Sequence, residues 1–260
     1  MSEKRTRGLL LVAHGSSTDP ESGEPARRQA RTIADLGLFD EVGTAFWKEE
    51  PALRDGLTVV KADEVFVVPF FISSGYYTEE LVPREIGIQK GVNRRQDRTI
   101  HYCEPVGTHP RMTEVLLHRA ESALKESAVD PTEVSLFIVG HGTEKNQNSS
   151  AAVHMQVAEI RRLGKFAEVQ PALMEEEPTH KTILSRARSD KVLIIPFFIS
   201  DGPHSRQDIP ADIGLARRGE EWENPVSLGS KTIWYTRSVG SDPRMVDVIL
   251  ERVKQAEASR

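Results

Sequence analysis

The chain has 260 residues, one cysteine, 34 Lys and Arg against 39 Asp and Glu, and a formal net charge of −5. It is long enough for one large domain or two ordinary ones, and its single Cys103 excludes an intrachain disulfide, a Cys-rich metal site or an iron-sulfur cluster while fitting the cytoplasm. Charges of both signs are mixed along the chain, the polar start Met1 to Arg7 does not resemble a signal peptide, and no apolar run approaches a membrane span, so neither nucleic acid nor membrane is an expected partner.

In chain order, Arg7 to Gly15 (RGLLLVAHG) reads as a buried strand ending at His14, and the same pattern returns in Val134 to Gly142 (VSLFIVGHG). The offset is 127 residues, and it also carries Gly37 to Gly164, Phe39 to Phe166, Glu50-Pro51 to Glu177-Pro178, Asp63 to Asp190, and Pro69 through Ser73 to Pro196 through Ser200. Later the register slips by six, with Val106-Gly107 and Pro110-Arg111-Met112 answering to Val239-Gly240 and Pro243-Arg244-Met245. A repeat this long is a subdomain rather than a solenoid unit, with its boundary near Ser127 to Pro131, which gives lobes 1–128 and 129–260.

Within the second copy, the strand ending at Val139 is followed by a polar loop, Thr143 to Ser150. A helix then presents Val153, Val157 and Ile160 at helical spacing and stops at Gly164. A strand around Glu168 to Met174, a helix near Thr179 to Arg188 and the run Lys191 to Ile199 (KVLIIPFFI) come next. The loop Ser200 to Asp208, a helix Pro210 to Arg217, a short strand Thr232 to Tyr235 and a closing helix Pro243 to Gln255 complete the copy. This alternation predicts an α/β fold of two duplicated lobes, each a parallel sheet flanked by helices, with a cleft between them.

Ligands of open α/β sheets bind at the carboxyl ends of the strands. In the second copy those ends carry His141, Glu175 to Glu177 and His204. Two imidazoles and a carboxylate suit a borderline divalent ion such as ferrous iron or cobalt, and the same groups accept protons. A metal ligand must be unprotonated, so activity is expected to fall below about pH 6. The first copy keeps His14 but has Tyr77 where the second has His204, so the C-terminal lobe is the expected site and the N-terminal one degenerate. His154 reads as a surface or boundary residue, His101, His109 and His118 lie in or next to the linker strand and helix of the first copy with no histidine answering to them in the second, and His180 lies near enough to the Glu175 to Pro178 segment to reach the rim.

The HG pair closing an apolar strand, Asn146 and Ser149, Gly164 through Val169, and Pro196 through Gly214 (PFFIS.G.H...DIP..IG) resemble the class II sirohydrochlorin chelatases of cobalamin and sirohaem biosynthesis. The second copy matches over almost its whole length and the first more loosely. The resemblance implies a chelatase-like fold around a tetrapyrrole, with His141 and His204 presenting cobalt or ferrous iron as substrate and an acidic companion among Glu175, Glu176 and Glu177. Glu177, repeated as Glu50, has a turn role as its alternative. Long members of the family often retain the pair in the N-terminal half, whereas here it is in the C-terminal half, as in the related protohaem ferrochelatases and anaerobic cobaltochelatases.

The implied reaction is ATP-independent, consistent with the lack of GxxxxGK[ST] and GxGxxG motifs. Arg206, Lys145, Arg84, Arg94 and Arg95 are candidates for binding substrate carboxylates. One alternative is a non-catalytic tetrapyrrole or metal carrier of the same fold. Another, a histidine phosphatase, needs an arginine before the histidine, and Ala13 and Gly140 stand there instead. The duplication supplies both lobes in one chain, so a monomer is expected.

Overall fold

The computed structural model describes residues 5–142, 147–215 and 224–259. Lys145 and Asn146, and the end of the helix expected to reach Arg217, lie outside them. In chain order the elements are β1 (Arg7–Ala13), α1 (Glu24–Asp35), β2 (Glu41–Phe46), α2 (Gly56–Val59), β3 (Glu64–Pro69), α3 (Val82–Ile86), β4 (Gly91–Arg94) and β5 (Thr99–Tyr102). Next come α4 (Met112–Leu124), β6 (Val134–Gly140), α5 (Gln147–Arg162), β7 (Glu168–Leu173), α6 (Ile183–Arg186) and β8 (Lys191–Pro196). The last are α7 (Ile209–Asp212), β9 (Val226–Leu228), β10 (Lys231–Tyr235) and α8 (Met245–Ala258).

The strands form two five-stranded sheets, ordered β2-β1-β3-β5-β4 and β7-β6-β8-β10-β9. All pairings are parallel except that of the edge strand β4 with β5 and that of β9 with β10. The expected all-parallel sheets thus each gain one antiparallel edge strand, of four residues in β4 and three in β9, too short to carry a periodic pattern. β6 is buried along its whole length, as a central parallel strand covered on both faces must be. The run Lys191 to Ile199 leaves the sheet at Pro196, earlier than its apolar content suggests, and α5 begins at Gln147, inside the segment read as loop. Leu9, Leu10, Leu11 and Val12 form the matching centre of the first sheet, and Phe137, Val139, Val192 and Ile194 that of the second.

The sequence repeat and the compact units divide the chain differently. One unit joins the residues up to His109 with those from Pro243 onward, and the other is Pro110–Asp242. Each copy therefore gives its closing helix to the other copy's sheet: α4 packs on α5 and β8, and α8 packs on α1 and β3. The exchange is reciprocal to the residue. Half-buried Arg119 of α4 donates to the Ser238 carbonyl and to Ser241 Oγ, each at 3.2 Å. Its repeat equivalent, Arg252 of α8, donates to the Pro105 carbonyl at 2.7 Å and to Thr108 Oγ1 at 2.6 Å. His118 belongs to the same fastening, with Nδ1 3.0 Å from Asp242, whose carboxylate is 1% exposed.

A second duplicated feature sets the loops that follow β3 and β8. The Gly107 amide donates to the Phe71 carbonyl at 2.9 Å, and the Gly240 amide to the Phe198 carbonyl at 3.1 Å. At both positions a Cβ would fall on the backbone of the segment packed against it, 2.1 Å from the Ile72 oxygen or 1.9 Å from the Ile199 oxygen, so only glycine allows the approach.

Candidate metal centre

β6 lies between β7 and β8, so the segments that leave these three strands emerge side by side at one edge of the second sheet. His141 follows β6 directly. Its carbonyl accepts from the amides of Met174 at 2.9 Å and Glu175 at 3.0 Å, which extends the ladder one residue past the strand and fixes the histidine backbone. Gly142, at φ +63°, then turns the chain away, a conformation that favours glycine. His204 is reached through a loop tied down by Asp201, which accepts from the Ser238 amide at 2.6 Å and from Arg237 Nε at 2.9 Å. A π-helical turn, His204–Asp208, then runs into α7, and turns of this kind are frequent at functional sites.

The two imidazoles meet. Their centroids are 5.3 Å apart with an interplanar angle of 86°, and their side chains are 40% and 51% exposed. His141 Nδ1 lies 3.0 Å from the Gly142 carbonyl, and His204 Nδ1 lies 2.7 Å from Asp208 Oδ2. Both partners are acceptors, so each neutral ring carries its proton on Nδ1 and keeps the lone pair of Nε2 for a ligand. Orientation of a ligating histidine by a carbonyl or carboxylate on its other nitrogen is the usual outer-shell arrangement of metal sites.

Glu175 Oε1 stands 3.6 Å from His141 Nδ1, too long for a hydrogen bond, and its side chain is 54% exposed. Its carboxylate is thus beside the pair and held by neither ring. Glu177 is placed differently: its Oε2 accepts from the Thr179 amide at 2.9 Å, as Glu50 Oε2 accepts from the Ala52 amide at 3.0 Å. This repeated contact within the turn explains why that glutamate is kept in both copies. Among the described residues, no group of three or more His, Cys, Asp and Glu side chains is arranged to enclose a metal ion.

In the first sheet the same edge is closed. His14 Nδ1 is 2.7 Å from the Gly15 carbonyl, as in the second copy, but Nε2 is 3.2 Å from the Tyr77 hydroxyl, which is the donor because this nitrogen has no proton. Tyr77 packs edge-on against His14 and stacks on Phe71. Lys48 occupies the repeat position of Glu175 and lies over the Trp47 ring. A phenol on the free nitrogen and a cation in place of a carboxylate both oppose a metal ion there.

The other polar candidates are structural in their contacts. Arg95 donates to the carbonyl of Gly87, and Arg84 pairs with Glu85. His101 is buried and stacked on Phe66. Arg206 is in the π-helical turn beside His204. Asp208 was missed as a site residue, although the DIP motif that follows His204 contains it. The cue was the spacing of four residues, which brings the two side chains together in a helical turn.

Fold and site thus define a two-lobed, duplicated α/β protein with an open imidazole pair at the carboxyl edge of one sheet. The CbiX family model matches residues 8–123 and again 135–256, one match for each copy, and the chain belongs to this family. A Halobacterium salinarum protein named as a probable sirohydrochlorin cobaltochelatase is 41% identical over 271 residues, covering 97% of this chain and 92% of that one. A solved Deinococcus radiodurans protein, described as similar to chelatases with two additional domains, superposes with a TM-score of 0.82 at 28% identity. It is covered over 56% of its length by 97% of this chain. The sirohydrochlorin chelatase SirB of Bacillus subtilis subspecies spizizenii, solved with cobalt, shares the fold at a TM-score of 0.66 and 17% identity, over 98% of this chain and 96% of that one.

Proposed function

We propose that this protein inserts a divalent metal, cobalt or ferrous iron, into sirohydrochlorin without using a nucleotide. The observation that carries this reading is the His141 and His204 pair, with ring centroids 5.3 Å apart and, among the described residues, both Nδ1 atoms engaged so that each Nε2 faces a ligand, in a chain 41% identical to a probable sirohydrochlorin cobaltochelatase. Insertion replaces the waters of the ion by four ring nitrogens and releases two N–H protons. His141 and His204 hold the incoming ion through Nε2, and the Glu175 carboxylate completes the set or takes up a released proton. Two imidazoles and one exposed carboxylate leave coordination positions for water and for the macrocycle, and so few protein ligands let the ion go once the macrocycle binds it. Glu177 shapes the turn that presents Glu175. Both lobes lie in one chain, so a monomer suffices, and the cytoplasm is its proposed location.

The test is cobalt and ferrous insertion into sirohydrochlorin by the wild type and by His141→Ala and His204→Ala, with folding followed by circular dichroism. Each variant is expected to lose turnover while staying folded. Wild-type rates in both would overturn the assignment, and a wild type that shifts the sirohydrochlorin spectrum without multiple turnovers would make the protein a carrier.

A further inference from the structure

We infer that His180 is a positioning residue for His204, acting through Asp212 rather than on the metal itself. This rests on the reading of His141 and His204 as the metal pair. His180 lies between β7 and α6 and is 2% exposed. Its Nδ1 is 3.1 Å from the Leu173 carbonyl and its Nε2 is 2.8 Å from Asp212 Oδ2. Leu173 closes β7 and pairs with Gly140 in the sheet, and the next two residues, Met174 and Glu175, hold the His141 carbonyl. Asp212 closes α7, which continues directly from the π-helical turn that carries His204 and Asp208. One buried imidazole therefore joins the strand that fixes His141 to the helical segment that carries His204.

Both partners of the ring accept hydrogen bonds, so both contacts are made in full when each nitrogen carries a proton. A buried polar group satisfied on both edges holds its surroundings in one arrangement, because breaking either bond leaves it unpaired. Asp212 is held below the ordinary aspartate range, first by the hydrogen bond from His180, against a smaller opposing effect of burial, and with help from Lys181. The duplication provides the comparison. At the repeat positions of His180 and Asp212 the first copy has Leu53, which is buried, and Glu85, which pairs with Arg84. The strut occurs in the copy that has the imidazole pair and is lacking in the copy that has Tyr77.

The experiment is titration of the apo protein with cobalt(II), followed by visible absorption, with thermal unfolding in parallel. His180→Leu, which installs the first copy's residue, is expected to weaken cobalt binding about tenfold, the lower end for outer-shell changes. His180→Gln sets an amide N–H where Nε2 was and is expected to recover most of the affinity. His180→Asn replaces only the contact to Leu173 and is expected not to. Wild-type affinity in His180→Leu, with binding lost in His204→Ala, overturns the strut and leaves the metal pair standing. Equal weakening in the Leu, Gln and Asn variants also overturns it, because packing of the ring would then be its role. Wild-type affinity in His204→Ala removes the metal pair itself. If His180→Leu does not fold, the contrast between Gln and Asn decides alone.

Discussion

Replacing Gly240 by alanine puts a Cβ 1.9 Å from the Ile199 oxygen, 2.5 Å from its carbonyl carbon and 2.8 Å from its Cα. All three are backbone atoms, so no rotamer change relieves the overlap, and about 1.5 Å of movement is needed to reach ordinary contact. The cost should match other over-packed cores, about 1–3 kcal/mol, or roughly 2–4 °C in Tm for each kcal/mol in a chain of this size. The segment that must give way leads through Asp201 to His204, five residues beyond Ile199. A displacement near 1 Å at a reacting group can cost about a hundredfold in rate, so insertion should fall far more than stability does. Gly107→Ala is the matched control, since its Cβ would lie 2.1 Å from the Ile72 oxygen in the copy that lacks the imidazole pair. The two variants are made side by side and assayed by differential scanning calorimetry, cobalt titration and metal insertion. Similar losses in Tm are expected from both, with cobalt affinity and turnover reduced by Gly240→Ala alone. Unchanged cobalt binding in a destabilised Gly240→Ala would refute the claim that this contact sets His204.

In a His204→Ala background, Tyr77→His should restore cobalt binding by freeing His14 Nε2 and supplying a second imidazole, and adding Lys48→Glu should tighten it; no binding by the triple variant would show that the first edge is not a closed copy of the second. Asp208→Ala should weaken cobalt binding by about 10–100-fold, as loss of an outer-shell partner does, which the same titration reads. Glu168 is held below the ordinary glutamate value of 4.5: burial raises it, but hydrogen bonds from Ser135, the Arg188 amide and Gln170 outweigh that effect. Its folded value is depressed, so its contribution to stability is complete above about pH 4.5 and is lost as the pH falls through that lower value. Glu168→Gln should lower Tm at pH 7 and flatten its decline as the pH falls below the ordinary glutamate value, and parallel Tm curves for variant and wild type would exclude this origin.

Much of the molecule was legible in one dimension because its signals are local or repeated. The fully apolar cores of β1 and β6, the glycine that turns the chain after each histidine, and the constant offset between copies needed no coordinates. His141 and His204 could be paired because strand order places the ends of β6 and β8 side by side. Glu177 could be suspected of a turn role from its repetition as Glu50, and its contact with the Thr179 amide gives that role a physical basis.

Residues whose meaning depends on a partner far along the chain were not legible in this way. Asp208 looked like one acid in a motif until a π-helical turn set it 2.7 Å from His204. Tyr77 was a missing histidine in the sequence, and in space it is a phenol that occupies the His14 nitrogen. The sequence by itself determined the duplication, the two α/β lobes and the copy that retains the imidazole pair, since hydrophobic period and repeat spacing are properties of the chain. Only the tertiary structure decided which helix closes which sheet. α4 and α8 have similar apolar faces, and the choice between their sheets is made by packing and by the reciprocal bonds of Arg119 and Arg252, which no local pattern encodes.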